Sequence, residues 1–172
     1  MNTKRLKQML LIGYLVLILY CMFFGFERIS RFDSFQFDFT ITRIPLWIPK
    51  HFTLDLLQIW VFALGNLVAF LPFGVLIPLN FRTNSKLFLK SLATFVIGIT
   101  VLEVLQMLSL LGSFDIGDIL INTLGFLIGY VSWKFSKQGN KLSNQILRFC
   151  IACIVLIIIT IIGAEFINSF LR

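Results

Sequence analysis

Charged residues are scarce in this sequence. Asp, Glu, Lys and Arg together make up 13% of its 172 residues, whereas hydrophobic residues make up 58%. Soluble domains usually carry about 25% charged residues, so this chain has too little polar sequence to cover a globule that faces water. The composition therefore predicts an integral membrane protein for which lipid is the solvent over much of the surface, and a chain of this length favours a single domain over residues 1–172.

The residues of the common catalytic and metal-binding motifs are also rare. His51 is the only histidine, which excludes a site built from several histidines. The sequence contains no nucleotide-binding loop, no Gly-x-Ser-x-Gly elbow and no nucleophile–His–Asp set, and we expect no cofactor. Cys21, Cys150 and Cys153 lie in apolar runs, where we interpret them as packing residues. The basic residues are scattered through short loops, which argues against nucleic acid as a partner.

Five apolar runs lie between the scattered charges. They cover residues 8–26, 56–81, 91–111, 119–133 and 149–164, and only Glu103 interrupts the third. A helix needs about 20 apolar residues to cross the hydrocarbon core, and the fourth and fifth runs reach that length when their polar ends lie at the interfaces. The sequence thus predicts an all-α bundle of about five transmembrane helices in a multi-pass membrane protein.

The distribution of Lys and Arg predicts how this bundle is oriented. If the N-terminus is inside, the inner segments hold ten of the fifteen Lys and Arg residues, namely Lys4, Arg5, Lys7, Arg82, Lys86, Lys90, Lys134, Lys137, Lys141 and Arg148. The outer segments hold Arg28, Arg31, Arg43, Lys50 and Arg172. Because cytoplasmic loops carry the excess of positive charge, we expect a cytoplasmic N-terminus and an outer C-terminus.

The outer segment, residues 27–55, is the only long connection. Within it Phe35, Phe37, Phe39 and Ile41 alternate with polar residues, which is the period of a half-buried strand. No pairing partner is evident, so we expect this strand to lie alone on the helix bundle or at the lipid interface. Trp47, between two prolines, suits an interfacial anchor.

The fourth predicted helix carries a stripe of polar and small residues. Its members follow one another at intervals of three and four, and they are Asp115, Asp118, Asn122, Gly125, Gly129 and Ser132. That spacing places them on one face of a helix. The glycine pair allows a neighbouring helix to approach closely, so the stripe faces protein and its polar half faces the bundle interior.

Two other helices contribute polar residues near the same depth. Glu103 and Gln106 lie three residues apart on one face of the third helix, and Asn66 lies on the second. Counted from the outer surface at about 1.5 Å per residue, Asn66 and Asn122 lie at about 10 Å, Gln106 at about 9 Å and Glu103 at about 14 Å. We therefore predict a polar pocket that opens to the outer leaflet, with Asp115 and Asp118 at its rim.

Two alternatives to a ligand pocket remain open. Asn and Gln side chains often hold membrane helices together for about 1 kcal/mol each, although a buried Glu103 needs a partner or a proton. A hard cation held by Asp115, Asp118 and Glu103 is the second alternative, because oxygen ligands suit Ca²⁺ or Mg²⁺.

The same residues resemble the VanZ-like family of bacterial membrane proteins. That family shows Asn followed by Phe-x-Pro-x-Gly, then Glu-x-x-Gln, then Asp-x-x-Asp-x-x-x-Asn-x-x-Gly-x-x-x-Gly. This chain contains the three patterns in the same order, in residues 66–74, 103–106 and 115–129. The resemblance implies a VanZ-like core over about residues 56–134, with extra helices at 8–26 and 149–169.

The resemblance also implies a role at the outer face of the bacterial cytoplasmic membrane. Our leading hypothesis is an envelope protein that reduces susceptibility to glycopeptides such as teicoplanin by binding a lipid-linked cell-wall precursor or a lipoglycopeptide. One alternative is an enzyme acting on a lipid head group or cell-wall lipid precursor. Another is a structural partner of an envelope complex.

Overall fold

The computed structural model describes residues 2–25, 33–40, 44, 46 and 53–170. Within them, five helical spans are long and apolar enough to cross a membrane, which confirms the all-α transmembrane architecture predicted from the sequence. The proposed anchor Trp47, the last residue of the predicted strand Ile41, and His51 lie outside the described residues.

The helices begin and end within five residues of the predicted apolar runs, except for the last one, which begins seven residues early at Leu142 and ends six residues late at Phe170. They are α1 (Thr3–Phe24), α2 (Leu54–Phe70), α3 (Phe73–Asn80), α4 (Leu87–Leu108), α5 (Ile116–Ser136) and α6 (Leu142–Phe170). Basic residues such as Lys7 and Lys134 lie within the helices, because long basic side chains cover apolar surface while their charged ends reach water.

The second predicted span is one membrane crossing made of two helices. Pro72 cannot donate a backbone hydrogen bond, so α2 ends at Phe70 and α3 begins at Phe73. The backbone instead tightens, with Leu71 N donating to the Val68 carbonyl at 3.2 Å and Gly74 N donating to the Leu71 carbonyl at 3.0 Å. Leu71 and Pro72 keep helical backbone angles, and residues Leu54–Asn80 form one span.

The expectation of an unpaired strand in the outer segment is wrong. Phe37–Asp38 forms a short strand, β1, which pairs in parallel with β2, Phe114–Asp115, immediately before α5. The pairing extends to a hydrogen bond from Phe114 N to the Gln36 carbonyl at 3.0 Å. We call β1 and β2 the ribbon, and the end of the bundle that carries it the ribbon end.

Helix α5 lies at the centre of the bundle. Half of its most apolar window is buried inside the protein, compared with 6% for α1 and for α6. On one side Phe126 stacks on Phe95 of α4 at a centroid distance of 4.7 Å. On the other side Ile121 and Ile128 belong to a second apolar cluster that includes Cys153 of α6. The outer helices thus expose their apolar faces, as lipid contact requires.

Small residues bring α5 against α2 and α3. A Cβ atom added to Gly125 would collide with the Leu67 carbonyl oxygen, and one added to Gly129 would collide with that of Leu71. A Cβ atom added to Gly74 of α3 would likewise collide with the backbone of Phe126 and Tyr130. The backbones of these helices therefore touch directly.

Candidate functional site

The ribbon end of α5 begins with two carboxylates. Asp115 is the N-cap residue, and its Oδ1 accepts a hydrogen bond from Gly117 N at 2.6 Å. Asp118 lies in the first turn. Both side chains are half-buried. Negative charge is favourable at this position because the first N–H groups of a helix have no partner within the helix.

Aromatic contacts between α4 and α5 set the level of Glu103. Phe95 stacks on Phe126, and one to two turns toward the opposite end Phe88 contacts Tyr130 at 5.1 Å. The two helices are antiparallel, so residues equally far from Phe95 along α4 and from Phe126 in the opposite direction along α5 lie at the same depth. Eight residues toward the ribbon end from these two are Glu103 and Asp118. This places Glu103, which is 2% exposed, level with the first turn of α5.

The predicted order of depth of Glu103 and Asn122 is therefore wrong. Glu103 lies closer to the ribbon end than Asn122 does, whereas counting residues from Gly112 placed it deeper. The count assumed that residues 109–112 rise along the helix axis. In the structure α4 ends at Leu108, and the chain turns through Leu110, which has a φ of 60°. Residues 109–112 are therefore not part of the helix, and the helical rise does not apply to them.

Gln106 of α4 forms a hydrogen bond to α1. Its side chain is 3% exposed, and Nε2 donates to the carbonyl oxygen of Met22 near the end of α1, at 2.8 Å. That carbonyl lies in the last turn of α1, so the hydrogen bond joins the end of α1 to α4. The contact favours the alternative in which Gln106 holds two helices together.

Asn122 differs from Gln106 in this respect. It is 1% exposed, and among the described residues its Oδ1 has no hydrogen-bond partner. An unsatisfied buried acceptor costs about 1–3 kcal/mol. A group that donates a hydrogen bond to Asn122 would remove this cost, so the position suits an amide, hydroxyl or ammonium group of a ligand.

Asn66 lies near the same level as Asn122. The contacts of Gly125 with Leu67 and of Gly129 with Leu71 show that α2 and α5 run in parallel with a fixed offset. That offset places Asn66 about half a turn, or ~3 Å, further from the ribbon end than Asn122. Asn66 is half-buried. The structure thus brings the amides of Asn66 and Asn122 to similar depths. Glu103 lies closer to the ribbon end than either of them.

The structure gives no support to the hard-cation alternative. Across the described part of the chain, no three His, Cys, Asp or Glu side chains form a group that could hold a metal ion. This includes the set Asp115, Asp118 and Glu103.

The ribbon adds a carboxylate that the sequence reasoning did not include. Asp38 is paired in register with Asp115 across the two strands. Its Oδ1 accepts hydrogen bonds from the hydroxyl and the backbone N of Thr40 at 2.6 and 2.8 Å, and these bonds lower the pKa of Asp38. The period-two alternation indicated a strand, but no signal in the sequence identified β2 as its partner.

Asn168 is the second residue that sequence reasoning missed. It is 1% exposed near the end of α6. Its Oδ1 accepts from Ile44 N at 2.8 Å, and its Nδ2 donates to the Ile44 carbonyl at 2.9 Å. Both backbone polar groups of Ile44 are therefore satisfied by a single amide. An asparagine near the end of the long apolar sequence of α6 was the available signal.

We expect Asn168→Ala to loosen the outer segment from the bundle. The substitution leaves the buried N–H and C=O groups of Ile44 unpaired, at about 1–3 kcal/mol each. Trypsin should then cleave at Arg43 or Lys50 several times faster than in the wild type. Asn144→Ala, at an exposed position in the first turn of α6, is the matched control. Equal cleavage rates in the two variants would contradict the role assigned to Asn168.

Comparisons with known proteins agree on one family. The family model described as VanZ/LLP1 matches residues 11–137. The chain is also 28% identical to Protein VanZ of Enterococcus faecium over 144 residues, which is 83% of this chain and 80% of that protein. No solved structure matches this chain.

Proposed function

The chain belongs to the VanZ/LLP1 family, and on that premise we propose that it reduces the susceptibility of bacteria to glycopeptide antibiotics such as teicoplanin. In this proposal it is a multi-pass protein of the cytoplasmic membrane. It acts by binding a lipid-linked cell-wall precursor or a lipophilic glycopeptide at a polar pocket between α2, α4 and α5, on the outer side.

One observation carries this proposal, the unsatisfied acceptor of Asn122. A residue that only joins helices has its polar atoms paired with the neighbouring helix, as Gln106 does with Met22. The Oδ1 of Asn122 is instead buried and unpaired among the described residues. Glu103 and Asp118 lie one turn closer to the ribbon end, so a ligand entering from that end meets acidic groups first. Donor-rich head groups and the amines and amides of glycopeptides fit such a site.

The proposal requires the ribbon end to face outside. All eight Asp and Glu residues lie toward that end or in the outer segment, and ten of the fifteen Lys and Arg residues lie at the other end. In a variant without the native cysteines, an impermeant thiol reagent should label Ser113→Cys in intact cells. It should label Ser85→Cys only after the membrane is opened. Labelling of position 85 from outside would overturn the orientation.

The function is tested by replacing the unpaired acceptor with an apolar group of similar size. We expect Asn122→Leu to keep or raise thermal stability, because no hydrogen bond to Oδ1 is lost, and to abolish protection against teicoplanin. Gln106→Leu is the control for a helix contact, and it should lower stability by about 1–2 kcal/mol. Cells expressing each variant at matched membrane levels give the susceptibility. Full protection with Asn122→Leu would remove the ligand role.

A second candidate is an enzyme that acts on a lipid head group or cell-wall lipid precursor. It is favoured by the unequal environments of two carboxyl groups near one level, Glu103 at 2% exposed and Asp118 half-buried. Such environments allow one group to act as an acid and the other as a base. Purified protein incubated with cell-wall lipids separates the candidates, since only an enzyme yields a product that accumulates with time.

A further inference from the structure

The end of the bundle opposite the ribbon carries positive charge without any compensating negative charge. The segments that form it are residues 2–8, 81–90 and 134–148, which contain ten Lys and Arg residues and no Asp or Glu. We call this the lysine end. A general bias toward basic residues is expected on the cytoplasmic side of a membrane protein, so only a specific arrangement of some of them would indicate a binding site.

Two lysines at the end of α5 are held over aromatic rings. Lys137 Nζ lies 3.7 Å from the centroid of the Trp133 ring, and Lys134 Nζ lies 6.0 Å from that of Tyr130. Both rings are buried, at 9% and 7% exposed. Contact with an aromatic face fixes the position of an ammonium group while leaving its N–H groups able to donate. These two lysines are thus ordered, unlike basic side chains that extend freely into water.

Lys7 of α1 is the basic residue on a second helix whose charge acts on Lys137. Its backbone carbonyl accepts a hydrogen bond from Asn80 Nδ2, at the end of α3, at 3.3 Å. One turn along α1, Leu11 packs against the apolar cluster that contains Trp133. Partial burial, together with the charges of Lys134 and Lys7, lowers the pKa of Lys137. The ammonium group of Lys137 is therefore repelled by those of Lys134 and Lys7, and an anion beside Lys137 would relieve that repulsion.

We propose that Lys7, Lys134 and Lys137 form a binding site for the phosphate of an anionic phospholipid head group. A lipid fits better than a free phosphate ion because exposed apolar side chains adjoin the site on the side that faces the hydrocarbon. Val131 is 49% exposed one turn before Lys134, and Leu6 is 41% exposed next to Lys7 in the sequence. Phe135 is 47% exposed, with the Arg148 guanidinium 5.9 Å from the centre of its ring. Acyl chains would cover these surfaces while the phosphate lies among the lysines.

The test compares two triple variants with equal loss of charge. K7Q/K134Q/K137Q removes the proposed site, and K86Q/K90Q/K141Q removes three exposed lysines from other parts of the lysine end. Each protein is purified in detergent and titrated with phosphatidylglycerol, with binding followed by native mass spectrometry and by thermal stability. The first variant loses the ammonium groups that would donate charge-assisted hydrogen bonds to the phosphate, so it should bind at least about tenfold more weakly. The second should bind like the wild type.

Several outcomes decide the proposal. Equal weakening in both triple variants, or none in either, would show that only net charge matters and would overturn it. Stabilisation by phosphatidylcholine or by inorganic phosphate as large as that by phosphatidylglycerol would overturn it too. K7R/K134R/K137R keeps the charge and should retain binding. If K7Q/K134Q/K137Q does not fold, the single variants K134Q and K137Q are each compared with K86Q, and the same difference in affinity is expected.

Discussion

Gly125→Leu should prevent normal folding or assembly of the bundle. A Cβ atom at this position would collide with the carbonyl oxygen of Leu67 and would lie 3.1 Å from its carbonyl carbon and 3.3 Å from the Cβ of Phe70. Two of these three atoms belong to the backbone of α2, which cannot rotate away as a side chain can. Overpacking of a well-packed interior costs about 1–3 kcal/mol, and a leucine side chain placed against backbone should reach or exceed the upper end of that range.

Gly98→Leu provides the matched control, because a Cβ atom at Gly98 of α4 meets nothing within 4 Å. We expect this variant to express like the wild type, since its new side chain extends into lipid. Size-exclusion profiles and melting temperatures in detergent give the comparison. If Gly125→Leu and Gly98→Leu express equally and melt at the same temperature, the close approach of α5 to α2 does not matter for stability.

Glu103→Gln and Asp118→Asn should each remove protection against teicoplanin while the protein still inserts and folds. Both substitutions keep the size of the side chain and remove its charge. A residue that only joins helices should tolerate such a change with a loss of about 1 kcal/mol or less. A site that recognises a donor-rich or cationic ligand depends on the carboxylate, because a charged acceptor binds such groups about twice as strongly as a neutral one.

Asp55→Asn is the control for this experiment, since Asp55 is exposed in the first turn of α2 at the ribbon end. It removes the same charge from the same side of the membrane and should leave protection unchanged. Susceptibility is measured at matched membrane levels, with melting temperature reported for each purified variant. Full protection in both Glu103→Gln and Asp118→Asn would return these residues to a structural role. Loss of protection in Asp55→Asn as well would indicate a dependence on surface charge alone.

The sequence predicted the five spans because lipid contact requires apolar residues along the whole length of each helix. In lipid every backbone group must be satisfied within the helix, and about 20 apolar residues are needed to cross. Such a signal does not depend on which helices are neighbours. The sequence also predicted that the six stripe residues, from Asp115 to Ser132 at intervals of three and four, share one face of α5. The helical period alone determines which residues lie on the same face.

Other features were decided by contacts between distant parts of the chain. Ile44 and Asn168 are separated by 124 positions, and the partner of β1 is a two-residue strand that is too short to leave a periodic pattern. The levels of Glu103 and Asn122 depended on the turn after Leu108 and on the stacking of Phe95 against Phe126. Helical rise gives depth only along one helix, so the relative depth of two helices is set by how their side chains pack.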